Sequence, residues 1–152
     1  MESTLRLWRD TSVFVNPSLE ELTDILKRSK TIAVVGLSDH PERESYMVAK
    51  EMQKRGYRII PVNPKVNEVL GEKAYAQLSE IPEPVDIVDI FRRSSALPDA
   101  VKEAVQLSAP VVWAQQGIYS EEAADIALAH GKTMVMDRCI MLMHSLLIAK
   151  HE

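Results

Sequence analysis

At 152 residues and 46% hydrophobic, the chain can bury one good core but is too short for a ligand domain plus a separate substrate domain. A net charge of -4, with Lys and Arg scattered in no basic block, disfavours nucleic acid as a partner. No apolar run approaches the roughly 18 residues of a membrane span, the N-terminus with Glu2, Arg6, Arg9 and Asp10 lacks a signal-peptide core, and the single Cys139 excludes an intramolecular disulfide or a multi-cysteine metal site, so the reading is a soluble, cytoplasmic protein with no membrane association.

Residues 1–17 read as a peripheral segment of one domain spanning 1–152. After Asn16-Pro17, Ser18 and Glu21 form a capping box that opens a helix with Leu19, Leu22 and Leu26 on one face. The β-branched run 31–36 predicts a strand, 45–55 a helix closed by Gly56, and 58–62 a second strand, together one βαβ unit. Residues 75–79 offer at most a short helix, and 85–90 reads as the third strand. A helix over 95–107 puts Leu97, Val101, Ala104 and Val105 on one face, with Pro98 in the first turn, where its missing N–H is tolerated. Strand four is 110–114; Ser120 caps a helix that begins with Glu121 and Glu122 and stops at Gly131. Strand five is 133–136, and 139–147 forms the last helix.

Near-continuous apolar strands separated by helices predict an α/β fold: a doubly wound, five-stranded parallel sheet, Rossmann-like, with strand order 3-2-1-4-5. Ligands of such sheets bind beyond the carboxyl ends of the strands, at the switch point expected here between strands one and four. The loops to read are therefore Gly36-Leu37-Ser38, Asn63-Pro64-Lys65, Phe91-Arg92-Arg93, Gln115-Gln116-Gly117 and Asp137-Arg138-Cys139. A strand ending in glycine and leading into a helix is how such a sheet holds phosphate on backbone N–H groups. Gly36 stands alone before Gly56, so the three-glycine dinucleotide fingerprint is absent and side chains such as Ser38, Arg43 and Ser45 must supplement the backbone. Where a dinucleotide site usually carries an acid, the second loop carries Lys65, which favours a phosphorylated ribose. With Arg92 in the third loop, an acidic protein gathers cations on one edge, suited to a nucleotide bearing a pyrophosphate and one more phosphate.

Gly36-Leu37-Ser38, Pro41, Arg43, Ser45-Tyr46, Val62-Asn63-Pro64-Lys65, the run Pro84 to Asp89, Phe91-Arg92, Trp113-Ala114-Gln115-Gln116-Gly117 and Met136-Asp137-Arg138-Cys139 resemble the small single-domain CoA-binding proteins. These are related in fold to the CoA-binding domain of the succinyl-CoA synthetase α subunit. The resemblance covers roughly residues 18–148 and implies coenzyme A as the cofactor, or an acyl-CoA. It implies that the loop from Leu37 to Tyr46 cradles the pyrophosphate, that Asn63-Pro64-Lys65 lies along the adenosine phosphate side, and that Phe91-Arg92 borders the nucleotide or pantetheine arm. The synthetase's phosphohistidine domain has no counterpart here, so ligase activity is not implied.

Each of these residues also has a structural reading. Gly36 can serve only a tight turn, Arg43 and Ser45 can be helix-capping or surface residues, Asn63-Pro64 a turn, and Lys65 and Arg92 can be solvated or paired with Glu68 and Asp89. Trp113 reads as core, and Asp86 and Asp89 as structural pairing or capping. Cys139, at a helix start beside Arg138, is either a reactive thiol or a buried inert one; the burial reading has the better support because Ile140 and Met141 follow it. The four histidines show no metal-ligand spacing, so neither a metal nor a catalytic residue is expected. The favoured function is non-catalytic binding of CoA or acyl-CoA. The alternatives are an NADP-dependent oxidoreductase and the CoA-binding subunit of an acyl-CoA-forming assembly, and a protein partner is left open.

Overall fold

The structure, a computed structural model, describes residues 14–148. Helix α1 (Leu19–Arg28) leads into β1 (Thr31–Val35), α2 (Glu44–Lys54) and β2 (Arg58–Val62). A hairpin of β3 (Glu68–Val69) and β4 (Glu72–Lys73) and a 3-10 turn (Leu78–Glu80) follow. The chain then forms β5 (Ile87–Ile90), a 3-10 turn (Ser94–Ala96), α3 (Leu97–Ala104), β6 (Val111–Ala114), α4 (Glu121–Ala129), β7 (Thr133–Val135) and α5 (Ile140–Leu147). The capping box acts as expected at one end: Ser18 Oγ accepts the Glu21 N–H at 3.1 Å, and Ser120 Oγ does the same for Ala123 at 3.1 Å.

The five long strands form one parallel sheet in the order β2-β1-β5-β6-β7. The doubly wound Rossmann-like class is therefore as expected, but the order is not. Numbered as five strands it is 2-1-3-4-5, not 3-2-1-4-5, and the switch point falls between strands one and three. Two features put the third strand across β1. Pro61 has no N–H to give on the outer side of β2, which disqualifies β2 as an interior strand. That outer side is already taken: Tyr75 N–H donates to the Pro61 carbonyl at 3.0 Å, and Asn63 N–H to the Tyr75 carbonyl at 2.9 Å. Arg58 of β2 also clasps Glu72 and Glu83, which fastens the connection along the same edge. No α-helix covers this connection; the hairpin replaces it. At the far edge the Asn16 amide donates to the Met136 carbonyl and accepts the Met136 N–H, each at 2.8 Å, and so stands in for a missing neighbour of β7.

Alternate residues of each strand feed two cores. Ala33, Val35, Val88, Ile90, Val112 and Ala114 pack against α3 and α4. Ile32, Val34, Ile59, Ile87, Val111 and Trp113 pack against α1, α2 and α5. Each fully buried aliphatic side chain contributes about 1.5–3 kcal/mol over its exposed state. Ala100 and Ala104 on α3 and Ala123, Ala124 and Ala127 on α4 let those two helices approach closely over the sheet. The expected helix over 95–107 is shorter, because Pro98 lies in its first turn and the chain before it stays 3-10.

Candidate functional site

The five loops do meet at the carboxyl edge, with β1 and β5 at its centre. Gly36 ends β1 with φ +84°, and a Cβ there would lie 2.4 Å from the Phe91 carbonyl oxygen and 3.3 Å from Arg92 Nη1. Only glycine satisfies both the backbone conformation and this approach. Its N–H donates to the Val62 carbonyl at 2.8 Å, while Phe91 N–H donates to Val35 at 2.9 Å, so the first three loops are stitched at their bases.

Within the first loop the expected residues divide. Leu37 is fully buried, so only its backbone faces the edge, and its carbonyl accepts from Asn63 Nδ2 at 2.9 Å. Ser45 is buried too, and its hydroxyl accepts the Ser38 N–H at 3.0 Å; the Ser38 hydroxyl accepts the His40 N–H at 3.0 Å. These two serines shape the loop, and each keeps a hydroxyl proton that it can donate. Arg43 is exposed at the N-cap of α2 and places no side-chain acceptor on the first turn, so the helix start offers open N–H groups beside a guanidinium. Tyr46 is half-buried against the core.

Asn63 is the keystone of the second loop. Besides bonding Leu37, its Oδ1 accepts the Lys65 N–H at 2.9 Å, which leaves Pro64 and Lys65 exposed on a fixed turn. Phe91 is half-buried and Arg92 exposed. Neither Lys65 nor Arg92 is ion-paired among the described residues and both are exposed, so of their two structural readings the salt bridge does not hold and the solvated side chain does. Arg92 borders a cavity of about 180 Å³ with Val35, Val62, Gln77 and Asp99 on its walls. Arg43, Lys65, Arg92 and Arg93 are thus exposed cations that the carboxyl edge carries on its first three loops.

The fourth and fifth loops are strapped together. Asp137, at φ +57°, accepts the Gly117 N–H at 2.7 Å, and its own N–H donates to Ile118 at 3.1 Å. Twenty residues separate these partners, and no local sequence signal points to the strap. Trp113 is core, as expected, and its indole N–H donates to the Arg138 carbonyl at 2.8 Å. Cys139 is buried at the N-cap of α5. Asp86 caps the start of β1, where its Oδ2 accepts the N–H groups of Lys30 and Thr31 at 2.8 and 3.0 Å.

Asp89 differs from the expectation of pairing or capping. It is buried in the middle of the sheet, its Oδ1 has no hydrogen-bond partner, and burial raises its carboxyl well above the ordinary value. Gln115, two residues beyond the β6 residue that pairs with Asp89, is also buried; its Oε1 accepts the Ile140 N–H at 3.2 Å while its Nε2 is unpartnered. The two acids Asp86 and Asp89 therefore occupy different environments and do not form a pair. Among the described residues no group of three His, Cys, Asp or Glu is arranged to hold a metal ion, and no helix is long and apolar enough to cross a membrane.

A family model described as a CoA binding domain matches residues 30–145, a span that includes all five loops. The chain belongs to this CoA-binding family. Within the family's reach it is 54% identical over 130 residues to the uncharacterized protein YneT of Bacillus subtilis, covering 86% of this chain and 96% of that one. It is 27% identical over 135 residues to the α subunit of ADP-forming acetate–CoA ligase II of Pyrococcus furiosus, covering 82% of this chain but only 30% of the subunit. Among solved structures, a hypothetical protein of Pyrococcus horikoshii superposes with a TM-score of 0.84 at 36% identity, covering 91% of this chain and 99% of that one. A Thermus thermophilus protein gives 0.83 at 40% identity, covering 87% and 100%.

Proposed function

We propose that the protein binds coenzyme A or an acyl-CoA at the carboxyl edge of its sheet, without catalysing a reaction on it. The observation that carries this reading is the make-up of the carboxyl edge: Arg43 stands at the uncapped start of α2, Lys65 on the exposed turn of the second loop and Arg92 beside Gly36, none of them ion-paired among the described residues. This donor set fits the cofactor: a pyrophosphate needs N–H groups at a helix start and a nearby cation, and the ribose phosphate needs a further cation one loop away. Gly36, Leu37, Ser38, Arg43, Ser45 and Tyr46 would hold the pyrophosphate, with Leu37 contributing backbone only. Asn63, Pro64 and Lys65 would hold the adenosine phosphates, and Phe91 and Arg92 would border the arm.

The absence of turnover is supported by the serines. The Ser38 and Ser45 hydroxyls are engaged by loop amides, and no histidine or carboxylate among the described residues hydrogen-bonds either one. The lone Cys139 supports a reducing compartment such as the cytoplasm. Residues 1–152 are read as one CoA-binding domain, in which Phe14 and Asn16 fasten the incoming chain to Glu121 and Met136. The likeness to a ligase subunit three times as long favours a second reading, in which this chain serves a separate catalytic partner in acyl-CoA formation.

Native mass spectrometry of the purified protein, followed by calorimetry with CoA, dephospho-CoA, NAD and NADP, tests the proposal. Binding is expected to be tightest for CoA and weaker for dephospho-CoA. Tight NADP binding without CoA binding would overturn it in favour of an oxidoreductase. Thioester synthesis or hydrolysis by the isolated chain, lost in Cys139→Ala, would overturn the non-catalytic part. Pull-down with a stoichiometric catalytic chain would support the second reading.

A further inference from the structure

The amino end of the sheet, opposite the loops described above, holds a cavity of about 400 Å³. Lys27 and Lys30 follow one another at the end of α1, Arg55 lies at the end of α2, and His144 comes from α5; Leu26 and Ile148 supply apolar wall. Among the described residues its lining carries these four basic side chains and no carboxylate. Basic residues commonly complement the carbonyls at helix ends. Here that duty is largely met by other donors. Tyr57 Oη donates to the Leu26 carbonyl at 2.6 Å and Ser29 N–H to Ile25 at 3.1 Å at the end of α1, and Tyr57 N–H donates to Met52 at 3.2 Å at the end of α2, whereas Arg55 Nη1 reaches the Met141 carbonyl in the first turn of α5 at 3.1 Å.

Arg55 is also fixed from two sides, with Glu51 Oε1 3.4 Å from its Nε and His144 Nδ1 3.1 Å from its Nη1. Lys27 and Lys30, by contrast, have no ion pair among the described residues. The acid at this end, Asp86, is committed through Oδ2 to backbone N–H groups. The result is a metabolite-sized cavity with a positive mouth, a rigid guanidinium and a partly apolar wall, in a chain of net charge -4.

We propose that this cavity binds a small organic polycarboxylate, with its charged groups at Lys27 and Lys30 and its carbon skeleton against Leu26 and Ile148. An inorganic anion would match the charges but leave the apolar wall unused. The site is independent of the CoA reading, because it lies at the other end of every strand.

Titration calorimetry of the full chain at constant ionic strength with citrate, succinate and inorganic phosphate tests this. Saturable citrate or succinate binding with a Kd below about 1 mM is expected. The double variant K27Q/K30Q should weaken it at least about tenfold while keeping the Tm of the free protein, because both lysines are exposed. The single variants Lys27→Gln and Lys30→Gln should give intermediate losses, and they keep the test decisive if the double variant does not fold. Lys102→Gln, exposed on α3 over the other face of the sheet, should leave polycarboxylate binding unchanged. No saturable binding, equal binding by K27Q/K30Q, a preference for phosphate, or loss of binding in Lys102→Gln would each overturn the proposal.

Discussion

The two ends of the sheet solve different problems with similar side chains. At the carboxyl end, backbone N–H groups, Ser38, the buried Ser45 and Asn63 lock the loops together, and Arg92 on that frame borders a cavity of about 180 Å³. At the amino end the space is larger, but the helix carbonyls there are mostly satisfied from within. The proposed CoA site rests on open N–H donors and not on cavity size, because a helix start left uncapped by its own side chain is a binding resource that a helix end lacks. The contrast between α1 and α2 makes the same point: Ser18 closes the start of α1, and nothing equivalent closes α2.

The strongest way to break this comparison is Gly36→Ala. The added methyl group meets the Phe91 carbonyl at φ +84°, so the variant should lose about 2–4 kcal/mol of stability, read by urea unfolding, together with CoA binding. Normal stability would show that the β1 and β5 ends can separate. Asp89, between the two ends, gives a pH test. Its folded carboxyl is raised by burial above the ordinary 3.8, so the folded state holds the proton over a pH range where the unfolded chain has lost it. Its contribution to stability is then full below the unfolded value and declines as pH rises toward the folded one. Asp89→Asn, which mimics the neutral acid, should flatten that decline in unfolding curves from acid to neutral pH; an unchanged slope would locate the titration elsewhere.

A smaller effect is expected from Arg43→Ala: CoA binding weaker by about ten- to a hundredfold in calorimetry, with the Tm of the free protein little changed. A loss of folding instead would show that Arg43 belongs to the loop's structure. The smallest is Ser18→Ala, which should cost about 1 kcal/mol of stability and leave CoA affinity alone, since it uncaps a helix that plays no part in the proposed site.

Much of the carboxyl edge was legible in the sequence because its signals are local. Ser18, Ser120 and Gly36 announce their own backbone states, and the strand over Arg58–Val62 was read with the bounds it has. The sheet order departs from the expected 3-2-1-4-5 although Pro61 carries the clue, a strand residue with no N–H for an outer neighbour. The hairpin β3–β4 has no clear signal in the sequence because its turn places Leu70 at φ +56°, where Asn or Gly is the usual residue. The roles of Asn63 and Gln115 depend on contacts 26 and 25 residues away, and the burial of Asp89 depends on the packing of both neighbouring strands. Nothing within a short window encodes either.

Each margin of the sheet is capped near its carboxyl end, one by Pro61 and the strand-like contact of Tyr75, the other by the Asn16 amide on Met136. An open margin invites a foreign strand, and with it aggregation or domain exchange. These caps disfavour strand addition at the carboxyl ends of β2 and β7, and so favour helices and loops as the surfaces through which this protein associates, with itself or with a catalytic partner. Replacing Asn16 with Ala would reopen one margin, and the first symptom would be self-association on heating.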